Sequence, residues 1–171
     1  MASFLTLQLT SKMAEERMQA MIAAGTSTGA FETVGQTLVT QIQLGFKFGR
    51  EPWGAPWEKL KCRKGGSPLR DTGLLRSSIV SKADKSGVTV GTNKIQARVH
   101  QFGAIIRPVR AKFLAFQCGP DMHFAKQVII PARPYLPIRS NKSVDLPDTW
   151  SRAVARRLQS YLLQAAKKPA L

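Results

Sequence analysis

Apolar positions along this chain follow two different periods, and the changes of period mark its elements. Residues 2–9 alternate weakly, with Phe4, Leu5, Leu7 and Leu9 apolar, which reads as a short strand. From Lys12 to about Ala24 the spacing turns helical. Met13, Arg17, Met18, Met21 and Ile22 share a mixed face there, behind a capping residue at Thr10 or Ser11. Gly25-Thr-Ser-Thr-Gly29 interrupts the pattern. A second helix is predicted from about Ala30, because Phe31, Val34, Leu38, Ile42 and Phe46 recur at helical intervals on one face. Gly35 and Gly45 lie inside it, and each weakens it by up to ~1 kcal/mol relative to Ala unless packing demands a small residue.

The middle of the chain changes character. Gly49 to Pro68 holds three prolines and four glycines, so it reads as an extended loop. Trp53 and Trp57 sit within it. An aromatic pair covers much area with few rotatable bonds, so it anchors such a loop onto its own core or onto a partner. Asp71 is placed to cap one or two helical turns bearing Leu74, Leu75 and Ile79. SIVSKA and GVTVGTN then alternate about Asp84-Lys-Ser-Gly87, the pattern of a β-hairpin. ARVHQF, 97–102, fits either a helical turn or a strand. A strand is expected at Phe113–Cys118, a turn at 119–122 and a returning strand at Phe124–Ile130.

That last strand runs into VIIPARPYLPIRS, Val128 to Ser140, with prolines at 131, 134 and 137. Prolines fix φ and remove donors, so the segment about 131–140 must be a rigid extended arm. A polar linker to Leu146 follows, and Asp148 caps a final helix from about Thr149 to Ala166. Trp150, Val154, Leu158, Tyr161, Leu162 and Ala165 form its apolar face, with Arg152, Arg156 and Arg157 on the rest. Helices at both ends of a run of strands predict an α+β fold: a central antiparallel β-sheet with the N-terminal helices and the C-terminal amphipathic helix packed on it. At 171 residues the chain reads as one domain, 1–171.

Charge alters the picture of its partners. The net formal charge is +16, and it is unevenly placed: residues 1–46 carry −1 and residues 47–171 carry +17. Such a field favours nucleic acid, acidic protein faces or anionic lipid without choosing among them. The N-terminus lacks the pattern of a signal peptide, and no stretch approaches the ~18 apolar residues of a membrane span. A soluble protein made in a cytoplasm is expected, with no membrane association. Cys62 and Cys118 are far apart and suit two free thiols in a reducing compartment rather than a disulfide scaffold.

Catalytic chemistry finds little to work with. There is no G-x-S-x-G elbow, phosphate-binding glycine loop or H-E-x-x-H motif. His100 and His123 are the only neutral-pH bases, and with the two cysteines they match no zinc spacing. An enzyme using Cys118 with a nearby histidine is one alternative, and a basic nucleic-acid-binding protein is another. The expectation is a non-enzyme without cofactor, metal or catalytic residues.

Six segments in order, EPWGAPWEKL, SPLRDTGLLRSSI, VTVGTN, ARVHQFGA, AKFLAF and IPARPYL, resemble the phage Mu-like virion morphogenesis family of tail completion proteins. The resemblance runs from about Gly49 to Ile138. One departure is Gln96, where relatives commonly carry an aromatic residue before the alanine. The resemblance implies a structural virion protein of a tailed bacteriophage. It would complete or cap the tail and join it to the head as a neck or tail-terminator subunit. It also implies a homo-oligomeric ring, hexameric by the symmetry of a tail tube, assembled in the host cytoplasm. Neighbours would be tail-tube or sheath and neck or head-connector proteins, with genomic DNA passing through the channel without sequence-specific binding.

A ring requires one patch to meet a different patch on the next copy. Two segments are therefore expected at interfaces: the loop at about 49–68, through Trp53 and Trp57, and the proline-rich arm at about 131–140. In the arm, Tyr135 and Leu136 are the expected anchors, and Arg133 and Arg139 the cations for acidic groups on a neighbour. The alternative is that the arm covers its own domain's sheet edge.

Overall fold

The computed structural model describes residues 11–62, 65–139 and 143–167. The strand expected at 2–9 lies outside the described residues. Helix α1 spans Ser11–Gly25 and helix α2 spans Thr28–Phe48. Ser27 separates them, its side chain accepting the Ala30 N–H at 3.2 Å as an N-cap. Gly49 ends α2 in the left-handed region (φ 65°), which a glycine occupies without steric cost. The C-terminal helix, α5, spans Asp148–Lys167 and packs against both α2 and α1. Its Tyr161 hydroxyl reaches Ser27 Oγ at 3.1 Å, tying the late part of α5 to the start of α2. The apolar face predicted for α5 is inward, while Arg152, Arg156 and Arg157 are exposed.

Helix α3 is a single turn, Leu74–Ser77. Gly73, not Asp71, stands at its N-cap position, because a left-handed residue (φ 76°) turns the chain there. Strands β1 (Val80–Ala83) and β2 (Val88–Gly91) form the expected hairpin about Asp84–Gly87. The Asp84 carboxylate accepts the Ser86 and Gly87 N–H groups in the turn, and the hydrogen bonds from Ser86 lower its pKa. This hairpin lies against α2. A Cβ built on Gly35 would come within 2.8 Å of Ser81 Cβ and of Val88 Cγ2. The glycine inside α2 thus exists for close helix–hairpin contact.

ARVHQF is helical, as α4 (Ala97–Phe102). Beyond it the strands differ from expectation. A short strand β3, Ala104–Ile106, pairs antiparallel with β6, Val128–Ile130. The other ribbon joins β4 (Leu114–Cys118) to β5 (Asp121–Ala125) through a tight turn at Gly119-Pro120. The single returning strand expected at Phe124–Ile130 is therefore broken at Lys126-Gln127 and serves two ribbons. The α+β class holds. Its antiparallel strands form three two-stranded ribbons, and α5 packs on the N-terminal helices.

The core joins residues from far along the sequence: Ile42 and Phe46 of α2, Trp57, Leu75, Ile79, Tyr135 and Trp150. Phe46 is wholly buried, with the Trp57 ring edge-on and the Tyr135 ring tilted, both centroids 5.4 Å away. Such aromatic contacts add about 0.5–1.5 kcal/mol each beyond area burial.

The expectation of two free thiols is overturned: Cys62 and Cys118 form a disulfide. The β4–β5 ribbon carries Cys118 alongside the loop after Trp57, leaving the two Cα atoms 4.5 Å apart, within bridging range. Fifty-six residues of sequence separation concealed that proximity.

Candidate assembly interface

The proline-rich arm is held by its own subunit, group by group. Gln101 of α4 is buried and uses its whole side-chain amide on the arm. Its Nε2 donates to the carbonyls of Leu136 and Ile138, both at 3.0 Å, and its Oε1 accepts the N–H groups of Tyr135 and Leu136 at 3.1 and 3.0 Å. The Arg133 N–H donates to the His100 carbonyl at 2.7 Å. Trp57 Nε1 donates to the Pro134 carbonyl at 2.8 Å. A chain that lacks three donors at its prolines cannot sustain a continuous ladder, so polar side chains supply much of what a strand partner would, and only its far end pairs, in an isolated bridge between Ile138 and Val144.

Of the six residues expected at interfaces, three lie inside the subunit. Tyr135 is only 2% exposed, its hydroxyl donating to the Ala97 carbonyl at 3.3 Å, and burial pushes its pKa up to about 12. Trp57 is a core residue. Arg133 is buried, its guanidinium donating to the carbonyls of Glu58 and Lys59 at 2.9 and 3.4 Å. Leu136 is half-buried and packs against the core. Whatever these four do for assembly, they first lock the arm and the tryptophan loop to α4.

The other two reach the surface together. The Arg139 guanidinium lies 3.8 Å over the Trp53 ring and forms an ion pair with Asp145. Trp53 is fixed by a miniature ribbon within its loop, in which Arg50 bridges Pro56 and the Trp57 N–H meets the Gly49 carbonyl at 2.8 Å. Trp53 and Arg139 border a groove of about 640 Å³, which Phe102, Ile138, Arg98 and Glu51 also line. Burial raises the Glu51 pKa, against the lowering pull of Arg139. Trp53 Nε1 is buried there without an acceptor.

A second cleft, of about 690 Å³, lies between the loop carrying Leu60 and Cys62, helix α3, β6 and the inner side of β4 at Phe116. His100 lines it. Its Nδ1 is buried without a partner, and burial, then the nearby Arg133, lowers its pKa. His123 instead stacks on Phe116, ring centroids 5.9 Å apart. Cys118 is bonded to Cys62, so the thiol that the enzyme alternative requires is not free in this structure. Among the described residues no group of three or more His, Cys, Asp or Glu side chains is placed to hold a metal, and no helix is long and apolar enough to cross a membrane.

Sequence reasoning missed Gln101, the residue that organises the arm. Its signal was a polar side chain between His100 and Phe102 in a short helical turn that runs straight into Gly103. A Cβ at Gly103 would lie 2.9 Å from the Ile130 carbonyl, so the glycine allows α4 to pass close to the start of the arm.

The amino-acid sequence itself matches a known family. Residues 8–155 fit the phage virion morphogenesis family. The chain is also similar to the Mu-like prophage FluMu G protein 2 of Haemophilus influenzae, 32% identical over 114 residues, which cover 67% of this chain and 68% of that protein. No solved structure matches it. The match extends well beyond the six central segments, through α1 and α2 and into the first two turns of α5, and the chain belongs to the phage virion morphogenesis family.

Proposed function

We propose that this chain is a non-enzymatic structural subunit that completes the tail of a tailed bacteriophage and joins it to the head. In this reading identical copies close into a ring, six by the symmetry of a tail tube, between tail-tube or sheath proteins and neck or head-connector proteins. The carrying observation is the family match over residues 8–155, which includes every element that builds the arm and its groove.

The geometry supports a protein-facing interface at that groove. The groove presents the Trp53 ring beneath the Arg139 guanidinium, a pairing of the aromatic and arginine side chains in which protein interfaces are enriched. Arg98 and Arg139 supply positive charge at its rim. The arm behind it is already rigid, so docking there orders little additional chain.

The alternative, a nucleic-acid-binding protein, draws on the +16 charge and the exposed arginines of α5. Arg156 and Arg157 line a shallow hollow with Thr37, Thr40 and Ser160. Those three hydroxyls donate to carbonyls one turn back in their own helices, at 2.8, 2.8 and 3.0 Å, and so are not free donors for phosphate. The hollow therefore favours a protein or loosely passing DNA over tight phosphate binding.

Interrupting the gene in its phage tests the proposal. Full heads and separate tails in the lysate, rescued by supplying the chain, are the expected outcome. Infectious particles with firmly attached tails would refute it.

A further inference from the structure

The β4–β5 ribbon stands apart from the rest of the fold. Its strands pair with each other, and neither packs broadly on another helix or strand. None of the seven core residues belongs to it. A two-stranded hairpin alone is marginal in water. This one also exposes Phe113 on its approach, and Met122 and Phe124 on β5. Its other side, through Phe116, forms one wall of the cleft whose remaining walls include Leu60, Leu75, Ile130 and Pro131. At the ribbon's tip, beside the Gly119 turn, Cys118 is bonded to Cys62 of the body. Cys62 is solvent-exposed, so a small thiol has access to the bond.

We propose that the Cys62–Cys118 disulfide is a redox latch that fastens the β4–β5 ribbon over this cleft. With the bond intact, the ribbon is anchored at its tip as well as at its two chain connections. With the bond reduced, the connections at about 112 and 126 remain and the ribbon swings free, while the core about Phe46 and Tyr135 stays folded.

The exchange is balanced by a small thiol as co-reactant. A thiolate attacks one sulfur, forming a mixed disulfide and releasing the other cysteine as a thiolate. A second thiolate then attacks the small-molecule sulfur of that mixed disulfide. The protein gains two electrons and two protons as two thiols, and the two small thiols leave as one disulfide. A chain made where thiols are kept reduced would thus have an open cleft, and oxidation would close it. This inference does not depend on the proposed role in the tail.

Lys112 and Lys126 are exposed and bracket the ribbon, so trypsin reports its freedom. The full chain, oxidised and then reduced with dithiothreitol under native conditions, is compared by tryptic cleavage at those two sites and by amide hydrogen exchange. Reduction is expected to lower protection of residues 114–125 by about tenfold or more and to speed cleavage similarly, with α2 and the 133–138 arm unchanged. The double variant Cys62→Ser/Cys118→Ser should match the reduced chain with or without dithiothreitol. Three results would overturn the latch: ribbon protection unchanged with two thiols titrated, protection lost throughout the chain in either the reduced protein or the double variant, or two free thiols persisting in the oxidised protein.

Discussion

The Gln101 side chain accepts the backbone N–H of Tyr135 at 3.1 Å, across a sequence gap of 34 residues. Around that bond, one amide satisfies two donors and two acceptors of a segment whose prolines interrupt strand pairing. The phenol of Tyr135 is thereby seated against Phe46 at the centre of the core.

Gln101→Leu removes all four hydrogen bonds while keeping the volume similar. Buried peptide groups left unpaired cost ~1–3 kcal/mol each, and local rearrangement rescues some. A loss of about 3 kcal/mol in urea unfolding is expected. A loss below about 0.5 kcal/mol would show that the arm is held by something else.

Gly35→Ala sets two effects against each other. Alanine gains ~1 kcal/mol in helix propensity over glycine. Its methyl would meet Ser81 Cβ and Val88 Cγ2 at 2.8 Å, and such overpacking costs ~1–3 kcal/mol. Strain should win, giving a lower melting temperature, because both contacts belong to a hairpin packed along α2. Cutting the methyl conflict back with Gly35→Ala/Val88→Ala should recover part of the loss.

Tyr135 sets a basic limit on stability. Its folded pKa, about 12, lies above the unfolded value of 10.0, so the folded state resists ionisation. The stabilisation is complete below the unfolded value and is lost as pH rises from 10.0 towards about 12. His100 works at the other end. Its folded pKa is below the ordinary histidine value of 6.5, so stability falls as pH drops below 6.5 and the unfolded chain takes up a proton first. Denaturation midpoints across pH for the wild type, Tyr135→Phe and His100→Gln check both signs: each variant should flatten its own limb only.

Much of this fold is legible in the sequence. Periodicity found α2, the β1–β2 hairpin and α5 because each is longer than one turn or has a marked reversal, and each buries one face. It failed where pairing rather than local pattern decides. Strand β3 has three residues, and β6 follows β5 after only Lys126 and Gln127, so the different partners of β5 and β6 are what separate them. The prolines mark the arm plainly in the sequence. The same apolar residues suit a core or a partner equally in sequence, however, and Gln101, far upstream, decides in favour of the core for Tyr135. Trp53 and Arg139 are each candidates in the sequence, but only their stacking, which sequence cannot show, joins them in one groove.

Arg139→Glu tests the groove without disturbing the core. Half-exposed ion pairs contribute ~0–1 kcal/mol, so the melting temperature should change by no more than a few degrees. Joining of heads to tails in a complementation assay should fall by at least about tenfold, the effect of placing a like charge across an interface. Normal joining by this variant would remove the groove from the assembly surface.

Tight DNA binding is not expected. With random-sequence duplex at physiological salt, dissociation constants should remain in the weak non-specific range, about 10⁻⁶ M or higher. Submicromolar affinity with steep salt dependence would favour the nucleic-acid reading.

Cryo-electron microscopy of the head–tail junction in the intact virion measures the assembly itself. The account predicts a closed ring of this chain at that junction, with the Trp53–Arg139 groove of each copy covered by a neighbouring subunit. Absence of the chain from the particle, or a lone copy there with the groove facing solvent, would contradict it.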